Sequence, residues 1–149
     1  MTETITEIHE HTFDSPLHQD DQDAWTATWE GWTINTNHRR IQILIDNSAD
    51  CCESWGHLVS EDDVTKWVGA TVLGVERIEH VEGDDELQAE PAWQSRDVPY
   101  GVDEGGAAFV NILTNRGPLQ FAVYNSHNGY YGHTAVTILS DADRSAVTL

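Results

Sequence analysis

Apolar and polar residues alternate with a period of two along much of this chain, the spacing of half-buried β-strands. The clearest case runs from Leu119 to Leu139, where two β-rich runs flank Asn128-Gly129. An Asn-Gly pair favours a type I′ turn, so a two-residue hairpin is predicted here. That register sets His127 against Tyr130, Val123 against Thr134 and Tyr124 against His133. It also sends His127 and His133 to opposite faces of the sheet.

The same alternation predicts further strands. Thr4 to Phe13 reads as an edge strand. Trp25, Ala27 and Trp29 alternate with Thr26, Thr28 and Glu30 until Gly31 interrupts, and Trp32 to Thr36 reads as a separate strand. Ile41, Ile43 and Ile45 alternate with Gln42, Leu44 and Asp46. Ala70 to Val81 and Ala107 to Thr114 complete the pattern. Ser60 followed by Glu61, Asp62 and Asp63 resembles a capping box, predicting a helix over Glu61 to Val68 that stops near Gly69. Gly83 to Gly106 has no clear period and reads as a long loop, functional or mobile. About seven strands and one short helix indicate a mainly β or α+β fold built on a largely antiparallel sheet. The expected division is an acidic N-terminal arm over 1–24, one β-rich domain over 25–140 and a polar tail over 141–149.

A chain of 149 residues fits one domain with a substantial core. Charge changes the picture more. The 26 acidic residues outnumber 7 basic ones, for a net charge of −19. No Lys or Arg precedes Arg39, while that segment holds eight acids. Direct binding to nucleic acid or to an anionic membrane is disfavoured, because phosphate binding needs cations. Solubility, adaptation to high salt and attraction to a partner with a basic face remain. The N-terminus lacks the basic start and apolar run of a signal peptide, and no apolar run is long enough to span a bilayer. The expected location is the cytoplasm of a bacterial host cell.

Three groups of residues could carry chemistry. Cys51, Cys52, His127 and His133 have the ligand types of a zinc site, although adjacent cysteines lack the usual C-x₂-C separation. A bulge near Gly132 would be needed to bring both histidines to one face. Cys51 or Cys52 could act as a nucleophile with His57, His127 or His133 as base and Asp50 or Glu53 as orienter. The flanking acids oppose this, since they raise a thiol's pKa. Otherwise the cysteines and histidines are core and sheet residues. Finally, aromatic residues suit contact surfaces, and Tyr130 or Tyr131 beside the turn is the better placed candidate, since most tryptophans read as core.

Asp50-Cys51-Cys52-Glu53 with Trp55-Gly56, together with Asn128-Gly129-Tyr130-Tyr131-Gly132, resemble a family of small bacteriophage and bacterial proteins whose domain has no assigned function. The resemblance covers roughly Ile41 to Leu139. It implies a phage-type origin and no particular chemistry. The leading expectation is therefore a non-enzymatic interaction protein that binds, and inhibits, a basic host protein concerned with nucleic acid or anti-phage defence. Contact residues would be drawn from Cys51, Cys52, Glu53, Trp55, His127, Asn128, Tyr130, Tyr131 and His133. No cofactor is expected beyond the zinc alternative. Other readings are a small-ligand module that sequesters a nucleotide, with Arg39, Arg40, Arg77, Arg96 and Arg116 as the few cations available, or a virion structural component. Any ligand held by neutral imidazole would be lost below about pH 6.5.

Overall fold

A computed structural model describes residues 2–12, 29–46, 54–94, 104–127 and 133–149. Among these residues the chain forms β1 (Ile5–His11), β2 (Trp29–Thr36), β3 (Arg40–Asp46), β4 (Ser54–Val59), a 3₁₀ turn (Val64–Trp67) and β5 (Val72–Val81). Two short helices follow, α1 (Asp84–Gln88) and α2 (Pro91–Gln94). The remainder is β6 (Glu104–Thr114), β7 (Gly117–His127), β8 (Thr134–Ser140) and β9 (Asp143–Thr148). The strands make a five-stranded sheet in the order β1-β2-β3-β8-β9 and a four-stranded sheet in the order β4-β7-β6-β5. Every pairing is antiparallel. The mainly β expectation holds. No helix among the described residues is long and apolar enough to cross a membrane.

Period-two alternation explains the layers. Trp32 and Ile34 of β2 and Ile41, Ile43 and Ile45 of β3 project from one sheet. They meet Val59, Val110, Ile112, Phe121 and Val123 of the other, and these residues form the main core. The alternate residues of β6 and β7, such as Phe109 and Ala122, face outward, where Leu87 of α1 and Ala92 and Trp93 of α2 cover them. Leu44, Val136 and Ile138 share a smaller cluster with Trp29 on the outer face of the five-stranded sheet.

The predicted hairpin is not formed. β7 pairs with β4 and β6, β8 pairs with β3 and β9, and the two strands belong to different sheets. His127 stands opposite Glu104, and Thr134 opposite Thr148. Both edges of β7 are taken by longer-range ladders, which leaves neither edge free for β8. Within β7 the period of two still holds: Phe121 and Val123 enter the main core, while Ala122 and Tyr124 face the helices. Asn128 and Gly129 lie outside the described residues.

Other boundaries differ as well, and the stretch expected as a loop over Gly83–Gly106 holds α1, α2 and the start of β6. β2 runs unbroken through Gly31, whose φ is +139° and where a Cβ would come within 2.1 Å of the Ile43 carbonyl oxygen. The expected helix over Glu61–Val68 is only the 3₁₀ turn, capped by Asp63, whose Oδ1 accepts from the Thr65 amide at 3.1 Å. Ser60 is not its cap, because its Oγ accepts from the Gln120 amide and its own amide donates to the Gln120 carbonyl. The stretch read as a polar tail contributes β9, an edge strand with mostly exposed side chains. At the other edge, β1 is the strand expected over Thr4–Phe13, tied through Ile5 to Gly69 and Ala70.

Candidate functional site

Glu30 shares the inward phase of Trp32 and Ile34 on β2, so the alternation that builds the core also drives a carboxylate into it. Glu30 is buried. Across the layers, β4 turns His57 inward between Trp55 and Val59. His57 Nδ1 donates to Glu30 Oε2 at 2.6 Å, and Nε2 donates to Glu10 Oε2 of β1 at 2.9 Å. A neutral imidazole has one donor nitrogen. With both carboxylates ionised, both contacts are hydrogen bonds only when the ring is an imidazolium. Burial alone would lower the His57 pKa, but the hydrogen bond and charge of Glu30, reinforced by Glu10, hold it above its ordinary value.

This cationic ring joins the edge of one sheet to the edge of the other. Trp32 packs edge-on against it, with ring centroids 5.6 Å apart, and is itself fixed by its Nε1 donating to the Leu58 carbonyl at 3.1 Å. The group opens onto a cleft of about 320 Å³ bordered by Ile8, Glu10, Trp32, Asp62 and Val64. With both ring nitrogens on carboxylates, His57 is not placed to act as a base toward a cysteine. The arrangement favours the protonated ring and clasps the sheets.

Of the residues singled out in the sequence, Trp55 and His133 are brought together, with ring centroids 5.4 Å apart. His133 is buried, and its Nδ1 donates to the Asp46 carbonyl. The hydrogen bond fixes a proton on that nitrogen. His127 ends β7. Cys51, Cys52, Glu53, Asn128, Tyr130 and Tyr131 lie outside the described residues. The convergence of both cysteines and both histidines therefore rests on residues beyond those described. Among the described residues no group of three or more His, Cys, Asp and Glu side chains is placed to hold a metal ion.

Glu10 and Glu30 were not singled out from the sequence. The available signal was an acid in phase with Trp32 and Ile34, and it was lost when Gly31 was read as a break. His57 was considered only as a base.

The scarce cations serve the fold. Arg39 grips Glu3 with two nitrogens, at 2.7 and 3.1 Å. Burial opposes ionisation of Glu3, but Arg39 and Thr36 outweigh it and keep the carboxyl below its ordinary pKa. Arg77 links β5 to β8 and β9 through Asp143 at 2.8 Å, through Thr137 Oγ1 and through the Thr137 carbonyl at 3.0 Å. Arg116 donates to the carbonyls of Lys66 and Val68 at 2.8 and 3.0 Å. Three arginines considered for an anionic nucleotide are thus committed to separate internal contacts. Meanwhile Glu61, Asp62, Asp63, Glu76, Glu79, Asp85 and Glu86 are exposed.

A family model described as a domain of unknown function, DUF7448, matches residues 1–137. It takes in the N-terminal segment that the motif resemblance left outside. No curated protein and no solved structure matches the chain.

Proposed function

We propose, since this chain belongs to the DUF7448 family and that family has no assigned function, that it is a non-enzymatic binding module whose acidic surface engages a basic protein. One observation carries the reading: the chain has a net charge of −19, and Arg39, Arg77 and Arg116, three of its few cations, are engaged in contacts within the fold. The exposed carboxylates are left with little compensation. Such a field speeds the approach of a basic surface and repels nucleic acid and anionic lipid.

The partner we favour is a bacterial host protein that handles nucleic acid or defends against phage, met in the cytoplasm and inhibited by occupation of its basic face. The paired motifs at 50–53 and 128–132 support the phage-type part of this reading. The imidazolium clasp supports a binding role over catalysis, because its ring nitrogens are already engaged.

The test is capture from a bacterial lysate on the immobilised chain, at low and at moderate salt, with the retained proteins identified. The expected result is a small set of proteins with basic surfaces, released as salt rises. Recovery of no basic protein at either salt would contradict the proposal.

A further inference from the structure

We infer that the outer face of the four-stranded sheet, beyond the end of α2, docks a segment of the basic partner in which an arginine or lysine adjoins an apolar residue. The inference rests on the binding role proposed above and adds a location and a recognition chemistry to it.

The two helices cover only part of this face. Phe109 and Ala122 lie beneath them. The next row is polar and the row after that is bare. Leu113, opposite Gly74 on β5 and Pro118 on β7, is 46% exposed. Leu73, at the adjacent register shift in β5, is 68% exposed. Gly74 provides no side chain to cover Leu113; even a Cβ there would only reach ordinary contact with it, at 3.8 Å. Between Leu113 and the start of α2 runs a cleft of about 180 Å³ bordered by Glu76, Glu90, Pro91, Leu113 and Pro118.

The polar row decides what the cleft accepts. Asn111 Nδ2 donates to Glu76 Oε1 at 2.9 Å. Its cross-strand neighbour Gln120 donates from Nε2 to Glu90 Oε2 at 2.6 Å. Gln120 is itself fixed, buried and accepting from the Ala92 amide at 2.8 Å. Two carboxylates are thus held at the cleft by neutral amides, and neither is ion-paired among the described residues. A purely apolar occupant would strip water from both without replacing it, which is costly. A second copy of this chain would bring more negative charge. An arginine or lysine satisfies both needs: its aliphatic stem covers Leu113 and Pro118 while its head reaches the carboxylates. Arginine suits the site better, since a planar guanidinium pairs with carboxylates in a fork.

The test uses two capped tetrapeptides, one alternating leucine and arginine, the other with neutral citrulline replacing arginine. Side-chain amide and methyl resonances are followed by NMR on the full chain. The expected result is saturable shifts at Asn111, Gln120 and Leu113 with the arginine peptide, at least about tenfold weaker binding of the citrulline peptide, and a similar loss in the Glu76→Gln/Glu90→Gln variant. Leu113→Ser should weaken binding several-fold, and Glu61→Gln should leave it unchanged. Equal binding of the two peptides, or shifts confined to another surface, would overturn the inference. So would full retention of a captured basic partner by Glu76→Gln/Glu90→Gln, which would leave the general binding role standing. Failure of the unaltered chain to capture any basic protein would instead remove the role on which the inference rests.

Discussion

His57 carries more of the argument than any other single residue. Its ring spans Glu30 and Glu10 only when doubly protonated, so the contact between the sheets depends on a proton. Because the folded pKa is raised above the ordinary value of about 6.5, the stabilisation is fully present below that pH. It fades as pH rises through the folded pKa. Urea unfolding from pH 6 to 9 should therefore show stability falling with pH, and His57→Gln should flatten that slope. At pH 6 the variant should be about 3 kcal/mol less stable, chiefly because Glu30 stays buried without its cation. Identical slopes for the two chains would show that the ring is not charged in the folded state. At this scale the sequence was only half legible. Glu30 shares the phase of Trp32 and Ile34 only when β2 is continuous through Gly31, His57 lies on a strand that the alternation does not predict, and the pairing joins residues 27 apart in sequence, which no local pattern encodes.

At the scale of elements, faces were legible and partners were not. In β3 the expected apolar face of Ile41, Ile43 and Ile45 enters the main core, while β6 and β7 bury residues on both faces, one toward the other sheet and one toward the helices. Asn128-Gly129 is a strong local hairpin signal. It is overruled because β7 lies between β4 and β6, with an eleven-residue partner register to β6. Alternation says which side of a strand is apolar, not which sheet the strand joins. Amide NOEs should connect Val123 with Ala108, and Leu44 with Val136, and should be missing between Val123 and Thr134. Strong contacts between Val123 and Thr134 would restore the hairpin.

Gly31 differs from its expected role for a related reason. A glycine in a strand pattern marks either a break or a close approach of backbones, and here it is the second. Gly31→Ala would drive a Cβ into the Ile43 carbonyl at a φ that L-residues avoid. The expected cost is about 3 kcal/mol, read as a fall in thermal midpoint. A midpoint unchanged by this substitution would mean that β2 and β3 are further apart at this point. α1 and α2 escaped notice because four- and five-residue helices are too short to show a 3.6-residue period.

For the whole molecule, charge and fold divide the labour. Two sheets and a partial helical layer bury the apolar residues, and Arg39, Arg77 and Arg116 brace the joints between elements. Acids such as Glu61, Asp62, Asp63, Glu79, Asp85 and Glu86 are left to face the solvent. This division was partly legible, since a cation-free first 38 residues and a large negative total are properties of the sequence. Which cations remain available outside is not, because that depends on contacts such as Arg77 with Asp143, 66 residues apart. If the surface works by attraction to a basic partner, the complex must weaken as salt screens it, over a Debye length that shrinks to about 8 Å at physiological ionic strength. The most direct test is the dissociation constant of the chain and its captured partner, measured by titration calorimetry across a series of salt concentrations. The account predicts binding that weakens about tenfold or more between low and physiological salt. A dissociation constant that stays flat or falls over the same range would contradict it.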